Sequence, residues 1–595
     1  MHCQTGRSFA VKTIRRILAI LLALLLLTGV LAGAVWAAFS RTAPFADADQ
    51  GKAPVFAGKK VMVIVPHEDD ELNLFGGLFE EYLKYGSEVK VVFVTNGDLY
   101  LPRETRIREA IRALAEVGVE EENVIFLGYG DGYLHKHLYN AYDGERMISE
   151  AGFMETHGAD FHPAFVEEHP FTRENYIGDI KACILQERPD VLFCNDYDSH
   201  TDHQAVSLAF EEAIGEILRE GSGYTPTVYK GYAYSTAFYA PDDFYADPNL
   251  LSTKNPSEDD RTGEGIYRWS ERARLPVSAK SLSRSLYQCS VYRAAKQHKS
   301  QNAQAHAVSV INGDKVFWQR RTDSLSYTAE ISASSGDAAR LNDFKLLDNR
   351  NLQGWAPPYD GVWTPEKEDA LRQVTVAFPE EMTVTSLRLY DNPSEEDSVK
   401  NAEIHLSDGT ELETGVINPE GTEFFFEEPK TIAGFTVTLL ETEGDSAGLT
   451  EIEAYGKKKG ESPFLKLMTE EENFVYDYDV SREDGTAVFL LYTAGVETMP
   501  ENCVLRCDND RCSATVQDGK ILIVCPKGES CLFSIEDPDT GLSDTVRVAN
   551  PGMLFRSGRE IERIWYGMSS YVMREGSLGS RIASFLDRHL HGKEF

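Results

Sequence analysis

The sequence predicts an α/β domain built on a Rossmann-like, doubly wound, mostly parallel sheet, followed by all-β sandwich modules. Three observations carry this. From residue 60 to residue 221, short continuous apolar runs alternate with helical periodicity, the pattern of a parallel sheet covered by helices on both faces. Beyond about Ser300 the helical pattern stops and strand-like segments follow one another between turn signals. A chain of 595 residues is long enough for three or four such units.

The N-terminus stands apart. Arg7, Lys12, Arg15 and Arg16 precede an uncharged apolar run from Ile17 to Ala38. At about 1.5 Å per residue this run can cross a hydrocarbon core of roughly 30 Å. The basic flank predicts a cytoplasmic N-terminus and an exported remainder. The apolar run continues past the small residues Ala32-Gly33-Ala34, which favours a membrane anchor over a cleaved signal peptide. Residues 1–40 are therefore read as a signal anchor or signal peptide, and residues 41–58, rich in Ala and Asp, as a linker.

The first globular unit is placed at residues 59–300. "VMVIV" at Val61 to Val65, "VKVVFVTNG", "NVIFLG" and "DVLFCND" read as strands. "ELNLFGGLFEEYLKYG", "RETRIREAIRALAEVGV", "ENYIGDIKACILQERP" and "DHQAVSLAFEEAIGEILREG" read as helices. The long stretch from Gly130 to Thr172 lacks periodicity and is expected to act as a lid or binding loop. A jelly-roll module is placed at 308–456, a small immunoglobulin-like β module at 464–550, and a helical tail at 556–595. Trp363 is expected in the sandwich core rather than on a sugar, and Trp355 is open to either role. Cys503, Cys507, Cys512, Cys525 and Cys531 cluster in the small module; they allow two disulfides and one spare thiol, with the connectivity open. Cys183, Cys194 and Cys289 are expected to be buried thiols.

In an open α/β sheet, ligands bind beyond the carboxyl ends of the strands. The first strand ends in His67, Glu68, Asp69, Asp70 and Glu71, and a later one ends in "NDYDSHTDH", Asn195 to His203. Imidazole and carboxylate groups at two strand ends suit a divalent ion, and an ion would relieve the repulsion among adjacent carboxylates. Glu71 fits a helix N-terminal charge better than a catalyst. Asn96 and Asp98 are turn residues with a functional alternative. His135, His137, His157 and His162 in the long loop are read as solvated.

"PHEDDE" followed by "HTDH" resembles the PIG-L-type, LmbE-like family of zinc-dependent N-acetylglucosamine deacetylases, over about residues 59–240. "FVTNGD" and "RPDVLFCND" resemble the segments that connect the family's motifs. The resemblance implies one zinc ion, or another divalent metal, held by His67, Asp70 and His203. It implies Asp69 as general base, a protonated His200 stabilising the oxyanion, Asp202 orienting the catalytic groups, and Arg106 as a substrate-binding residue; Asn96 is a further substrate-binding candidate. One position departs from the pattern: Glu68 stands where the family usually has proline. The 308–456 module resembles discoidin-like, galactose-binding-like domains through its last strand, "LTEIEAYG".

The expected partners are an N-acetylated sugar or glycan and, through the N-terminal helix, a membrane. A formal net charge of -36 argues against nucleic acid, since phosphate contacts need clustered Lys and Arg. Two rival expectations are an amidase acting on a non-sugar amide and a cell-surface glycan-binding protein with an inactive catalytic domain. A secreted form is the alternative location.

Overall fold

The continuous apolar runs become strands buried on both faces. The computed structural model describes residues 4–42, 53, 55–133, 137–233, 252–253, 266–282, 286–305, 307–348, 361–394, 396–460, 462–480, 484–553, 557–558, 560–565 and 568. Helix α1 (Gln4–Thr42) contains the segment Arg16–Val35, which has a mean hydropathy of 2.7 and is long and apolar enough to cross a membrane. It is followed by β1 (Lys60–Val65), α2 (Asp70–Leu74), α3 (Leu78–Lys84), β2 (Glu88–Thr95), α4 (Arg103–Glu116), β3 (Val124–Tyr129), α5 (Arg173–Glu187), β4 (Val191–Asn195), α6 (Thr201–Arg219) and β5 (Thr227–Gly231).

These five strands are parallel and ordered β3-β2-β1-β4-β5. Side chains alternate across β1. Val61, Val63 and Val65 join a core with Phe75, Phe79, Ile107 and Leu114. Met62 and Ile64 join the opposite core with Ile177, Ile180, Phe210 and Ile214. Each such burial contributes roughly 1.5–3 kcal/mol. The strand order reverses between β1 and β4, and the crevice at that reversal is where an open sheet binds its ligand.

Two features differ from expectation. "ELNLFGGLFEEYLKYG" is not one helix: it breaks after Leu74 and restarts at Leu78. Gly76 sits at φ +28, and side chains of Val277 and Ser281 pack where a Cβ on Gly77 would lie, so the double glycine admits a later segment against the turn. The sheet also runs beyond residue 300. Strands β6 (Ala273–Pro276) and β7 (Asp314–Arg320) extend it in antiparallel fashion, β7 pairing with β5, so the boundary expected at 308 falls after Arg320. Between them lies α7 (Ser290–Ala295).

The second unit is a β-sandwich made of β8 (Glu330–Ala333), β9 (Gln373–Asp391), β10 (Ser398–Leu406), β11 (Glu411–Glu413), β12 (Thr422–Glu443) and β13 (Leu449–Tyr455), all antiparallel. Trp363 is buried in its core and donates its indole N–H to Ser335 O at 2.8 Å. Trp355 lies outside the described residues. A third unit has two four-stranded sheets. One joins β14 (Phe464–Met468), β16 (Thr486–Ala494), β18 (Ser513–Gln517) and β19 (Lys520–Val524). The other joins β15 (Asp477–Asp479), β17 (Val504–Cys507), β20 (Ser530–Glu536) and β21 (Ser543–Ala549). Cys512, Cys525 and Cys531 are buried there as free thiols, and Cys183, Cys194 and Cys289 are buried in the first unit. Most of the tail expected at 556–595 lies outside the described residues.

Candidate metal and catalytic centre

The turn after β1 is anchored before it does any chemistry. Pro66 O accepts from the backbone N–H and the hydroxyl of Thr95 at the end of β2, at 3.0 and 2.9 Å. The backbone N–H groups of Asp69 and Asp70 then both point back to His67 O, at 3.2 and 3.3 Å. This tight turn drives Asp69 to φ 152°, a region a non-glycine residue rarely occupies, and such strain gathers at functional sites. Helix α2 begins directly after it, so Asp70 and Glu71 lie in its first turn.

The Asp70 carboxylate converges on two imidazoles. Its Oδ2 lies 3.1 Å from His67 Nδ1 and 3.0 Å from His203 Nε2, with Asp70 and His203 fully buried. Burial alone would raise the Asp70 pKa, but His203 and His67 hold it well below the ordinary carboxylate value. His203 shows the reverse. Burial disfavours its charge, yet Asp198 and Asp70 push it up to about 10.

The turn after β4 is braced by its own residues. Asp198 accepts from His200 N at 2.9 Å and from His203 Nδ1 at 2.8 Å, which fixes the His203 ring with Nε2 toward Asp70. His200 Nδ1 accepts from Asp202 N at 3.2 Å. Burial, His67 and His203 all lower the His200 pKa. This direction disfavours the imidazolium that the resemblance implies. A neutral His200 whose Nδ1 is an acceptor carries its proton on Nε2 and is a donor there. Asp202 Oδ2 lies 3.4 Å from His67 Nε2.

Residues from two other strand ends complete the cluster. Asp131, after β3, lies 3.4 Å from His67 Nε2 and donates its N–H to Asp98 Oδ1 at 3.1 Å. Arg106, from the first turns of α4, is buried and faces back to the first turn: its Nη2 donates to Glu68 O at 3.0 Å and lies 3.3 Å from Glu68 Oε2. Asn96 Nδ2 is used structurally, donating to His157 O at 3.1 Å and Gly128 O at 3.4 Å. Burial and the Asp70 charge push Asp69 up to about 6, against the opposing pull of Arg106 and His298. Glu71 is buried and accepts from His298 Nε2 at 2.8 Å, so it is more than a helix N-terminal charge.

Of the expected site residues, His67, Asp69, Asp70, Arg106, His200, Asp202 and His203 are drawn into one cluster, with Asn96 bracing its edge through the 128–157 backbone. Sequence reasoning missed Asp131 and Asp198. Asp198 stood inside the quoted "NDYDSHTDH", and Asp131 follows a parallel strand at its carboxyl end, so both carried a positional signal. His137, read as solvated, is buried instead.

The donor set fits a divalent metal. Ligand atoms of His67, His200 and His203 lie within 4.8 Å of one another, as do those of His67, Asp131 and Asp202. Asp70 Oδ2, at 3.1 and 3.0 Å from the imidazoles of His67 and His203, would join them in holding such an ion. A divalent ion also supplies the positive charge that the carboxylates otherwise draw from a His203 proton.

Residues 62–214 match the family model of the GlcNAc-PI de-N-acetylases (PIG-L), which supports a PIG-L-type deacetylase domain in this region. Residues 324–455 match the model of DUF7402, a domain of unknown function. A probable N-acetylglucosaminyl-phosphatidylinositol de-N-acetylase of Dictyostelium discoideum is 34% identical over 68 residues, 11% of this chain and 26% of that protein. The chain thus spans about a quarter of the length of the curated relative it matches. Among solved structures, the N,N'-diacetylchitobiose deacetylase of Pyrococcus horikoshii is 21% identical at a TM-score of 0.21, over 33% of this chain and 68% of that one. A deacetylase triple mutant of the teicoplanin biosynthetic pathway is 15% identical at a TM-score of 0.26, over 44% of this chain and 99% of that one.

Proposed function

We propose that this protein is a metal-dependent N-deacetylase of an N-acetylated amino sugar of the GlcNAc type, exported and held at the membrane by α1. The observation that carries the reading is Asp70 Oδ2 lying 3.1 and 3.0 Å from imidazoles of two separate strand ends, beside a strained Asp69. The PIG-L match over residues 62–214 supports this substrate class.

His67, Asp70 and His203 are the residues that would hold the ion. Such an ion polarises an amide carbonyl and lowers the pKa of a coordinated water to about 7. Asp69, with a pKa near 6, is matched to accepting the proton of the attacking water near neutral pH and returning it to the leaving amine. His200 Nε2–H donates to the carbonyl oxygen as negative charge develops on it. Asp198 and Asp202 orient the imidazoles. The products are acetate and a free amino sugar. The sandwich at 324–455 is an accessory module for which a discoidin-like, glycan-facing role is proposed; its buried Trp363 is not the contact.

The test is acetate release by the full-length, detergent-solubilised protein from a panel of N-acetyl sugars, with and without chelator. Turnover that chelator abolishes and zinc restores is expected. Turnover of non-sugar amides alone would convert the reading to the amidase. Metal-insensitive turnover, or none on either panel, would overturn it.

A further inference from the structure

Glu68 occupies the place where the resembling family usually has proline, and the fold has built a seat for it. Its side chain is fully buried, its Oε2 is 3.3 Å from Arg106 Nη2, and the same Nη2 donates to its backbone carbonyl at 3.0 Å. Gly97, at φ +64, leaves room for it: a Cβ there would run into the Glu68 carboxylate and the Arg106 stem. Arg106 Nη2 is therefore already engaged, while its Nε is buried without a hydrogen-bond partner among the described residues. Beyond Glu68, its guanidinium feels Asp69, Asp131 and Asp70. A planar guanidinium recognises phosphate by offering two parallel N–H groups. Here one of its nitrogens is committed to the turn, and the surrounding field repels an anion.

The remaining wall offers hydrogen-bonding groups that lack a protein partner among the described residues. His137 is buried, and neither ring nitrogen has a partner among the described residues. The Tyr133 hydroxyl and Asp98 Oδ2 are likewise without one. Both Tyr133 and His137 feel the charge of Asp202, which puts them on its side of the crevice. Burial lowers the His137 pKa to about 4, so its ring is neutral near pH 7, with one donor and one acceptor. Buried polar groups normally find partners, and sugar hydroxyls, which donate and accept, match this set.

We propose that Glu68 sets the charge class of the substrate: by engaging Arg106 it makes the site select an uncharged N-acetylated saccharide over a phosphate-bearing one. The inference rests on the deacetylase reading for its substrate, but not for its charge selectivity. Glu68→Gln and Glu68→Pro, in the full chain, are compared with wild type on N,N'-diacetylchitobiose and N-acetylglucosamine 1-phosphate, with kcat and KM taken separately. Calorimetric binding of the same two compounds to metal-free protein is the second readout. The wild type should favour the neutral sugar in both measurements. Glu68→Gln should shift the neutral-to-phosphate ratio of kcat/KM toward the phosphate by about tenfold or more, mainly through a lower KM for the phosphate compound. A ratio unchanged within about twofold in both variants, or a wild-type preference for the phosphate compound, overturns the proposal. If no protein turns over either compound, the deacetylase reading fails, and the binding ratio alone decides the role of Glu68.

Discussion

The two turns that meet at the crevice solve the same problem in opposite ways. The turn after β4 is braced largely from within: Asp198 accepts from two neighbours within five residues of itself, and His200 accepts the N–H of Asp202, while Asp196 is met from farther off by Tyr267. The turn after β1 borrows its balance from afar. Glu68 is met by Arg106, 38 residues on, and Glu71 by His298, 227 residues on. The local turn finds the partners of Asp198 and His200 in its own sequence. The other needs partners brought in from α4 and from the segment around His298. Mutations that break each turn should therefore read out differently, one in stability and the other in metal affinity.

The largest effect is expected from removing the distant partner. His298→Ala leaves the Glu71 carboxylate buried without its cation, and breaking a buried pair from one side costs about 3–5 kcal/mol. The denaturation midpoint of the transition that includes the parallel sheet should fall accordingly, while Glu71→Leu combined with His298→Leu should recover most of it. Burial lowers the His298 pKa, but Glu71 and Asp69 together raise it above the ordinary histidine value. A raised histidine pKa adds stability that is complete below about pH 6.5 and is lost as pH rises through the folded value. The difference between wild type and His298→Ala should thus narrow at alkaline pH.

A smaller effect is expected on the local side. Asp198→Asn leaves the fold intact but loosens the His203 ring and weakens its ligand character. Removing such a supporting carboxylate typically costs about 10–100-fold in metal affinity. Titration with a competing chelator checks this, and an unchanged affinity would mean that the Asp198 bridge at 2.8 Å is without consequence for the ion.

The same contrast explains what could be read from the chain alone. Four of the five parallel strands, β1 to β4, were legible because each carries an apolar run, whereas β5, "TVYKG", is short and mixed in polarity and was not read from the sequence. His67, Asp70 and His203 were legible because each turn carries its motif within a few residues. Asp131 belongs to neither motif, and only the pairing of β3 with β2 brings it to His67. The His298–Glu71 pair could not be read from local pattern, since no local property of "KQHKS" announces a partner so far back. β7 was missed for a related reason. Its short run, "KVFWQR", lies in a polar stretch and becomes a strand only by pairing with β5 and β6. The helix predicted across Gly76-Gly77 failed because its break depends on Val277 and Ser281 packing against it. The buried His137 escaped notice because loop histidines are usually solvated.

The central claim is that adjacent aspartates in one strained turn divide the work, Asp70 for the metal and Asp69 for the proton. Metal content and deacetylation rate, measured side by side in Asp69→Asn and Asp70→Asn, test it most directly. Asp69→Asn should keep about one ion per chain and lose roughly 10²–10⁴-fold in rate, as expected for removal of a general base. Asp70→Asn should bind the ion weakly and regain part of its rate in excess zinc. Loss of the ion from Asp69→Asn with retention in Asp70→Asn, or normal turnover by Asp69→Asn, would contradict the division of roles.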